Sequence, residues 1–296
     1  MNSSPKSLNR NSSIELLRII CILSILAMHI YGNLEYNRLS EFNKLLIYPI
    51  NIGNFAVSTF ILISGYYGIK FKEFRFIQLI LLTTLYSIIV YFFNNGFNLD
   101  FNFIKACLII PLYNNWFIIC YLFLMLSAPY IDILLNNMGK GQLKHLLVIF
   151  FIGFSLLPTI FNTPYYTILY DGGKCFTYML YVYIVGRYIR FYGDKNVSKK
   201  FSLVTFFLSA FVLCSLNILV GYLFNKKCLI YSMDCSPFIL LSSIAIFILF
   251  KSIIFYSKSI NYIASSVLAV YLLGGIRFFI DKHLINLDHY CPVKVD

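Results

Sequence analysis

Helix-length apolar runs recur along almost the whole chain, and no feature constrains the fold more. Nine spans of 16 to 25 residues can be marked out: Ile14–Tyr31, Leu45–Ile69, Phe76–Phe93, Trp116–Leu135, Leu146–Phe161, Phe176–Phe191, Phe201–Phe224, Pro237–Tyr256 and Tyr262–Ile280. A hydrocarbon core about 30 Å thick takes roughly 20 apolar residues per helix, which these runs match. Only 12% of the 296 residues are charged, where a soluble domain carries about 25%. The polar side chains are too few to clothe a soluble surface, which excludes a soluble enzyme, a secreted disulfide scaffold and a disordered tail. The absence of alternating segments of about ten residues excludes an outer-membrane barrel. The expected fold is all-α, a polytopic integral membrane bundle forming one domain over residues 1–296.

The net charge of +12 invites a nucleic-acid reading, but its placement excludes one. Five alternate segments hold Lys6, Arg10, Arg18, Lys70, Lys72, Arg75, Lys140, Lys144, Arg187, Arg190, Lys195, Lys199, Lys200, Lys251 and Lys258 against Glu15, Glu73, Asp132 and Asp194, a net +11. The remaining loops and the C-terminal end carry 9 basic and 8 acidic residues. Basic residues accumulate on the cytoplasmic side of membrane proteins, so the N-terminus is expected in the cytoplasm. The first run has no small-residue cleavage site and ends in His29 and Tyr31, which reads as a retained helix. Of the eight cysteines, Cys21, Cys120 and Cys214 fall inside apolar spans as small core residues. Cys228 and Cys235 share one expected outer loop, where pairing and free thiols are both open. No Cys or His spacing indicates a metal.

The first span carries the most chemistry. Arg18 and His29 are eleven residues apart, three turns plus about 20°, so both fall on one helix face about 16 Å apart. Glu15 sits one turn before Arg18 and can pair with its guanidinium. Ionisable groups inside a span are costly and usually face a protein-lined or wet cavity, and imidazole is suited to proton transfer near neutral pH. A snorkelling anchor explains Arg18 equally well, and an interfacial polar residue explains His29.

The pattern Glu15-x-x-Arg18-x10-His29 resembles the acyltransferase 3 family of membrane-bound O-acyltransferases that modify cell-surface glycans. Phe60-Ile-Leu-Ile-Ser-Gly-Tyr-Tyr-Gly68 is similar to the family's second helix, Asn114-Asn-Trp-Phe-Ile-Ile-Cys-Tyr121 to its aromatic-opened fourth, and Asn261 to Leu272 to its late Ser/Tyr-Leu helix. The resemblance implies that His29 is the catalytic base or acyl relay, and that Arg18 helps to hold the acyl donor. It makes Lys72 and Arg75 the donor-binding basic pair, with lysine in place of one arginine and so without the bidentate fork. Ordinary topological charge accounts for the same pair. Trp116, Tyr66 and Tyr67 become candidate sugar-stacking aromatics, a role that an interfacial belt also explains.

The implied co-substrate is a cytoplasmic acyl-CoA, most simply acetyl-CoA, with no tightly bound cofactor. The implied partners are a cell-surface glycan or its lipid-linked precursor and the bilayer of the cell membrane. Two departures stand out. Tyr271-Leu-Leu-Gly274 has glycine where the family places histidine, and nine spans stand where about ten are usual, which leaves a truncated, a divergent and an inactive member open. The rivals to an acyltransferase are a glycan or lipid transporter and a non-catalytic helper in polysaccharide assembly.

Overall fold

A computed structural model describes residues 11–32, 41–108, 115–161, 172–193, 197–224 and 228–273. All regular structure among them is helical. In chain order the helices are α1 (Ser12–Gly32), α2 (Glu41–Ile50), α3 (Phe55–Tyr67), α4 (Glu73–Asn95), α5 (Phe101–Cys107), α6 (Trp116–Asn136), α7 (Lys140–Phe151), α8 (Leu157–Phe161), α9 (Phe176–Tyr192), α10 (Lys199–Leu223), α11 (Pro237–Lys251), α12 (Lys258–Ala264) and α13 (Val267–Leu273). Seven segments are long and apolar enough to cross a membrane: Ser12–Ile30, Leu45–Tyr67, Glu73–Asn95, Trp116–Asn136, Lys140–Phe161, Lys199–Leu223 and Ile230–Lys251. Backbone groups facing hydrocarbon must be satisfied within their own segment, which is why the apolar runs become helices. The chain is a multi-pass membrane protein.

The other two expected spans differ from that pattern for physical reasons. The sixth becomes α9, 17 residues long and rich in tyrosine, and much of it is enclosed, with Tyr178, Tyr181, Val182, Tyr183, Ile184 and Gly186 among its buried residues. A helix surrounded by protein has no lipid to satisfy, so it tolerates phenols whose hydroxyls find partners. Tyr178 shares a hydrogen bond with Ser58 at 3.2 Å, and Tyr183 donates to Asp132 Oδ1 at 3.0 Å. The ninth is divided into α12 and α13 at Ser265 and Ser266. Its expected continuation to Ile280, with Gly274, lies outside the described residues.

The centre of the bundle is the crossing of α3 and α9. At Gly186 an added Cβ would stand 2.7 Å from the Leu62 carbonyl oxygen, and at Gly65 it would overlap the Tyr183 carbonyl. Two glycines facing each other let the backbones touch, the small-residue packing that replaces a hydrophobic drive inside membranes. Leu62, Ile63, Val182 and Phe247 fill the space around the crossing. The Lys140–Phe161 segment contains a π turn at Ile152–Leu156 just before Pro158. Proline lacks an N–H and crowds the carbonyl four residues back, and a π turn absorbs both effects.

The N-terminal end of α1 is tied to the segment after α11. Ser12 N–H donates to the Phe255 carbonyl at 3.0 Å, Ser12 Oγ to Asn261 Oδ1 at 2.9 Å, and Ser257 N–H to Ser12 Oγ at 2.8 Å. Ser13 Oγ donates to the Phe250 carbonyl at 2.8 Å, which fixes α1 beside the last turn of α11. Towards the other end, Asn217 Nδ2 donates to Ser232 Oγ at 2.7 Å, and the Tyr231 N–H donates to Asn217 Oδ1 at 3.1 Å. Cys228 and Cys235 are both free thiols and both buried, so the pairing left open by the sequence is not made. Packing separates them: Cys228 Sγ donates to Asn217 Oδ1 at 4.0 Å, whereas the Cys235 carbonyl accepts from Ser155 Oγ.

Enlarging either glycine of the crossing forces two backbones apart, so the cost exceeds the 1–3 kcal/mol of ordinary overpacking. Gly65→Val and Gly186→Leu are expected to abolish a monodisperse peak in detergent gel filtration. Gly141→Ala, where nothing stands within 4 Å of an added Cβ, is expected to elute as wild type.

Candidate active site

Arg18, Ile22, Ile25 and His29 form one stripe along α1. Its middle is buried, with Ile22 at 3% and Ile25 at 5% exposure, while Arg18 is partly exposed and His29 is exposed. The helix therefore turns this stripe towards the bundle, and the two ionisable side chains stand where the stripe opens at either end. The shared face expected from the spacing is present. The separation of about three turns remains, so Arg18 and His29 do not touch.

At the first opening, Arg18 Nη1 lies 3.5 Å from Glu15 Oε1, the pairing that their spacing predicts. Glu15 is buried at 4%. A buried carboxylate beside a cation is tolerable where an isolated one is not. Three other helix ends converge here. Tyr66 and Tyr67 end α3, with ring centroids 5.2 Å apart and nearly perpendicular planes. Tyr66 also packs edge-on against Phe247 of α11 at 5.3 Å. Arg190 of α9 donates from Nη1 to Tyr66 Oη at 3.4 Å and sits 5.2 Å from the ring centre. Lys251, the last residue of α11, has Nζ 5.1 Å from the same ring centre. The Tyr67 hydroxyl lies within electrostatic reach of Arg18, Arg190 and Glu15.

Beside this cluster, Arg187 Nε stands 3.0 Å from Asp132 Oδ1. Asp132 also accepts the Tyr183 hydroxyl, and Tyr183 Oη accepts the Ile69 N–H at 3.3 Å. The chain leaves α3 at Gly68, φ +77°, where a Cβ would stand 2.9 Å from Arg187 Nη1. Glycine alone suits both the backbone angle and the crowding there. The Ser-Gly-aromatic motif thus has a local cause. Gly65 makes the crossing, Tyr66 and Tyr67 face the cations, and Gly68 turns the chain beneath Arg187.

The structure distributes the remaining candidates over different places. Lys72, just before α4, and Arg75, in its first turn, are exposed, with no ion pair among the described residues. They lie a few residues beyond Gly68 and so on the same side of the bundle as Arg18. Trp116 opens α6 and packs edge-on against Phe117 at 5.9 Å. It is sixteen residues from Asp132 along one helix, about 24 Å, and therefore at the opposite end from Tyr66 and Tyr67. Trp116 and the Tyr66–Tyr67 pair therefore stand apart. Among the described residues no cluster of His, Cys, Asp and Glu could hold a metal ion.

A family model described as an acyltransferase domain matches residues 11–280, about nine-tenths of the chain. The chain belongs to the acyltransferase 3 family. No curated protein and no solved structure gives a match. The stretches that resembled this family carry cross-helix contacts of the bundle. Ser64 Oγ shares a 3.4 Å contact with Tyr121 Oη, Asn261 holds Ser12, and Tyr271 packs on Phe117 at 5.6 Å. Arg190 and Lys251 were legible in the sequence only as topological charge. Each lies at the end of a span, and nothing in one dimension shows that both reach Tyr66. The two charges are at most about 10 Å apart, so they repel by at least about 0.4 kcal/mol in water and at least about 1.7 at an effective dielectric of 20. A cation–π contact of about 0.5–1 kcal/mol each counters part of that repulsion.

Removing one partner of the Asp132–Arg187 pair leaves a half-buried charge. Asp132→Ala is expected to lower stability by about 1–3 kcal/mol, below the 3–5 of a fully buried pair because both side chains keep some water contact. The paired change Asp132→Leu with Arg187→Met is expected to recover most of that loss in thermal unfolding of the detergent-solubilised protein.

Proposed function

We propose that this family member is a membrane O-acyltransferase that moves an acyl group, most simply acetyl, from cytoplasmic acyl-CoA to a hydroxyl of a cell-surface polysaccharide or its lipid-linked precursor. Its place is the cell membrane, with the basic ends of the helices on the cytoplasmic side. The observation that carries this reading is the stripe of α1, with a paired arginine at the basic opening and a histidine about 16 Å further along the same face. A donor whose phosphates and reactive thioester sit at opposite ends of a long thin arm needs such a division. The anionic end stays with Arg18, Lys72 and Arg75, and the acyl group travels to His29.

At His29 the acceptor hydroxyl approaches the thioester carbonyl. The imidazole takes the hydroxyl proton as the oxygen attacks, the carbon–sulfur bond breaks, and the proton passes to the departing thiolate. In the relay variant the imidazole nitrogen attacks the thioester carbonyl, the carbon–sulfur bond breaks and the departing thiolate takes the displaced ring proton. The hydroxyl oxygen then attacks the acyl-imidazole, the nitrogen–carbon bond breaks and the freed imidazole takes the hydroxyl proton. General-base assistance typically contributes about 10²–10⁴-fold, so the imidazole decides the rate. The planar fork of N–H donors on a guanidinium suits Arg18 to bind an anion.

The test is proton NMR of purified surface polysaccharide from cells carrying wild type, a deletion, His29→Ala or His29→Gln at equal membrane abundance. Acyl signals are expected to vanish in the deletion and to stay at least 100-fold below wild type in both histidine variants. Full restoration by His29→Gln alone favours a transport pathway that needs only polarity. Full restoration by both variants removes the catalytic assignment and favours the helper.

A further inference from the structure

We propose that Tyr66, Arg190 and Lys251 form a phosphate-binding site at the basic opening of the bundle, continuous with Arg18, which receives the phosphates of the acyl donor. The proposal rests on the donor reading above and adds residues that neither the spacing in the first helix nor the family match assigns.

The geometry carries it. Three cations from three helices meet around two adjacent tyrosines: Arg18 of α1, Arg190 of α9 and Lys251 of α11. Among the described residues, the groups facing this place include those cations, the Tyr66 and Tyr67 hydroxyls, and the Glu15 carboxylate, which lies 3.5 Å from Arg18. Arg187 is neutralised by Asp132 at 3.0 Å. Arg190 and Lys251 have no carboxylate within ion-pair distance among the described residues, and both rest on the Tyr66 ring, 5.2 and 5.1 Å from its centre.

A tyrosine face holds a cation in place without consuming its charge, so both cations stay able to receive an anion. The Tyr66 hydroxyl accepts from Arg190, which turns the guanidinium edge and leaves its other N–H groups for a second acceptor. The two charges lie at most about 10 Å apart, since each is near 5 Å from one point. That span fits one ligand carrying more than one phosphate. Such a ligand also relieves the mutual repulsion of the cations, so binding and local stability rise together.

The site is built by tertiary contacts that hold its parts in register. Ser13 ties α1 to Phe250, the neighbour of Lys251. The Gly65–Gly186 crossing fixes Tyr66 one residue, and Arg190 one turn, from the contact. Phe247 packs on Tyr66 from the turn preceding Lys251.

The test is isothermal titration of free CoA into purified protein in nanodiscs of phosphatidylcholine alone, at low and moderate salt. Wild type is compared with Arg190→Ala, Lys251→Ala, the double variant, Arg190→Lys, and a charge-matched control, Lys199→Ala with Lys200→Ala. Those two control lysines are exposed in the first turn of α10. Each single alanine is expected to weaken binding roughly tenfold and the double variant roughly 100-fold, the loss of one and two charged hydrogen bonds. Arg190→Lys is expected to recover part of the loss, the control to stay within about threefold, and 3′-dephospho-CoA to bind more weakly than CoA to wild type. Thermal unfolding of each variant verifies that it is folded.

Undiminished CoA binding by the folded double variant overturns the site and leaves the donor reading standing. An equal fall in the lysine control overturns it as bulk charge. Absence of CoA binding by wild type overturns the site and the donor reading together. Unchanged CoA binding with loss of co-purified phosphatidylglycerol, in nanodiscs containing that lipid, assigns the cations to a lipid headgroup and overturns the donor site.

Discussion

Everything at the basic opening depends on one close approach of two backbones, where Gly65 of α3 meets Gly186 of α9. In a bilayer, lipid tails solvate leucine as well as a neighbouring helix does, so helices gain little from hiding apolar surface and much from fitting together. Glycine against glycine gives the closest fit available. The consequence reaches beyond packing. Tyr66 and Tyr67 directly follow one glycine, and Arg187 and Arg190 lie within about one turn of the other. One contact therefore fixes an aromatic pair and a cation pair relative to each other.

The second constraint is the polar tie between Ser12, Ser13 and the segment from Phe250 to Asn261. It joins the two ends of the described chain and sets the height of α1 against α11. Glu15, buried at 4%, is sustained by its arginine, and the pair sits where Lys251 and Arg190 also arrive. Charges at the edge of a membrane are costly to group together, and this protein groups three of them. Aromatic faces and one carboxylate keep the arrangement stable without cancelling it. The remaining positive field is what an anionic ligand entering from the basic side meets.

Seen as a whole, the bundle separates two tasks along one helix. The arginine end is crowded with fixed charges and aromatic surface, which suits binding. The histidine end belongs to the other side of the bundle, where Trp116 also lies. Under the function proposed above, this separation keeps the anionic end of the donor apart from the place where the acyl group is transferred. The free, buried thiols of Cys228 and Cys235 exclude a disulfide as the element that shapes the outer loop, and hydrogen bonds from Asn217 take that part.

The sequence by itself determined the class of the protein, because membrane insertion depends on composition over 20-residue windows, a one-dimensional property. Seven of the nine expected spans, the grouping of basic residues and the Glu15–Arg18 pair follow from hydropathy, charge placement and the 3.6-residue turn. What it left open has the same origin. Tyrosine in α9 reads as ordinary span residues, whereas enclosure by other helices makes it the centre of the bundle. Trp116, Tyr66 and Tyr67 are all aromatic, and only the fold shows that Trp116 stands at the opposite end from the two tyrosines. Arg190 and Lys251, 61 residues apart in the chain, count only as topological charge until two helix ends bring them to one ring. Which helices touch is set by shape complementarity at a few small residues, a property of pairs of surfaces. Only the tertiary structure decided that, and with it the composition of the candidate site.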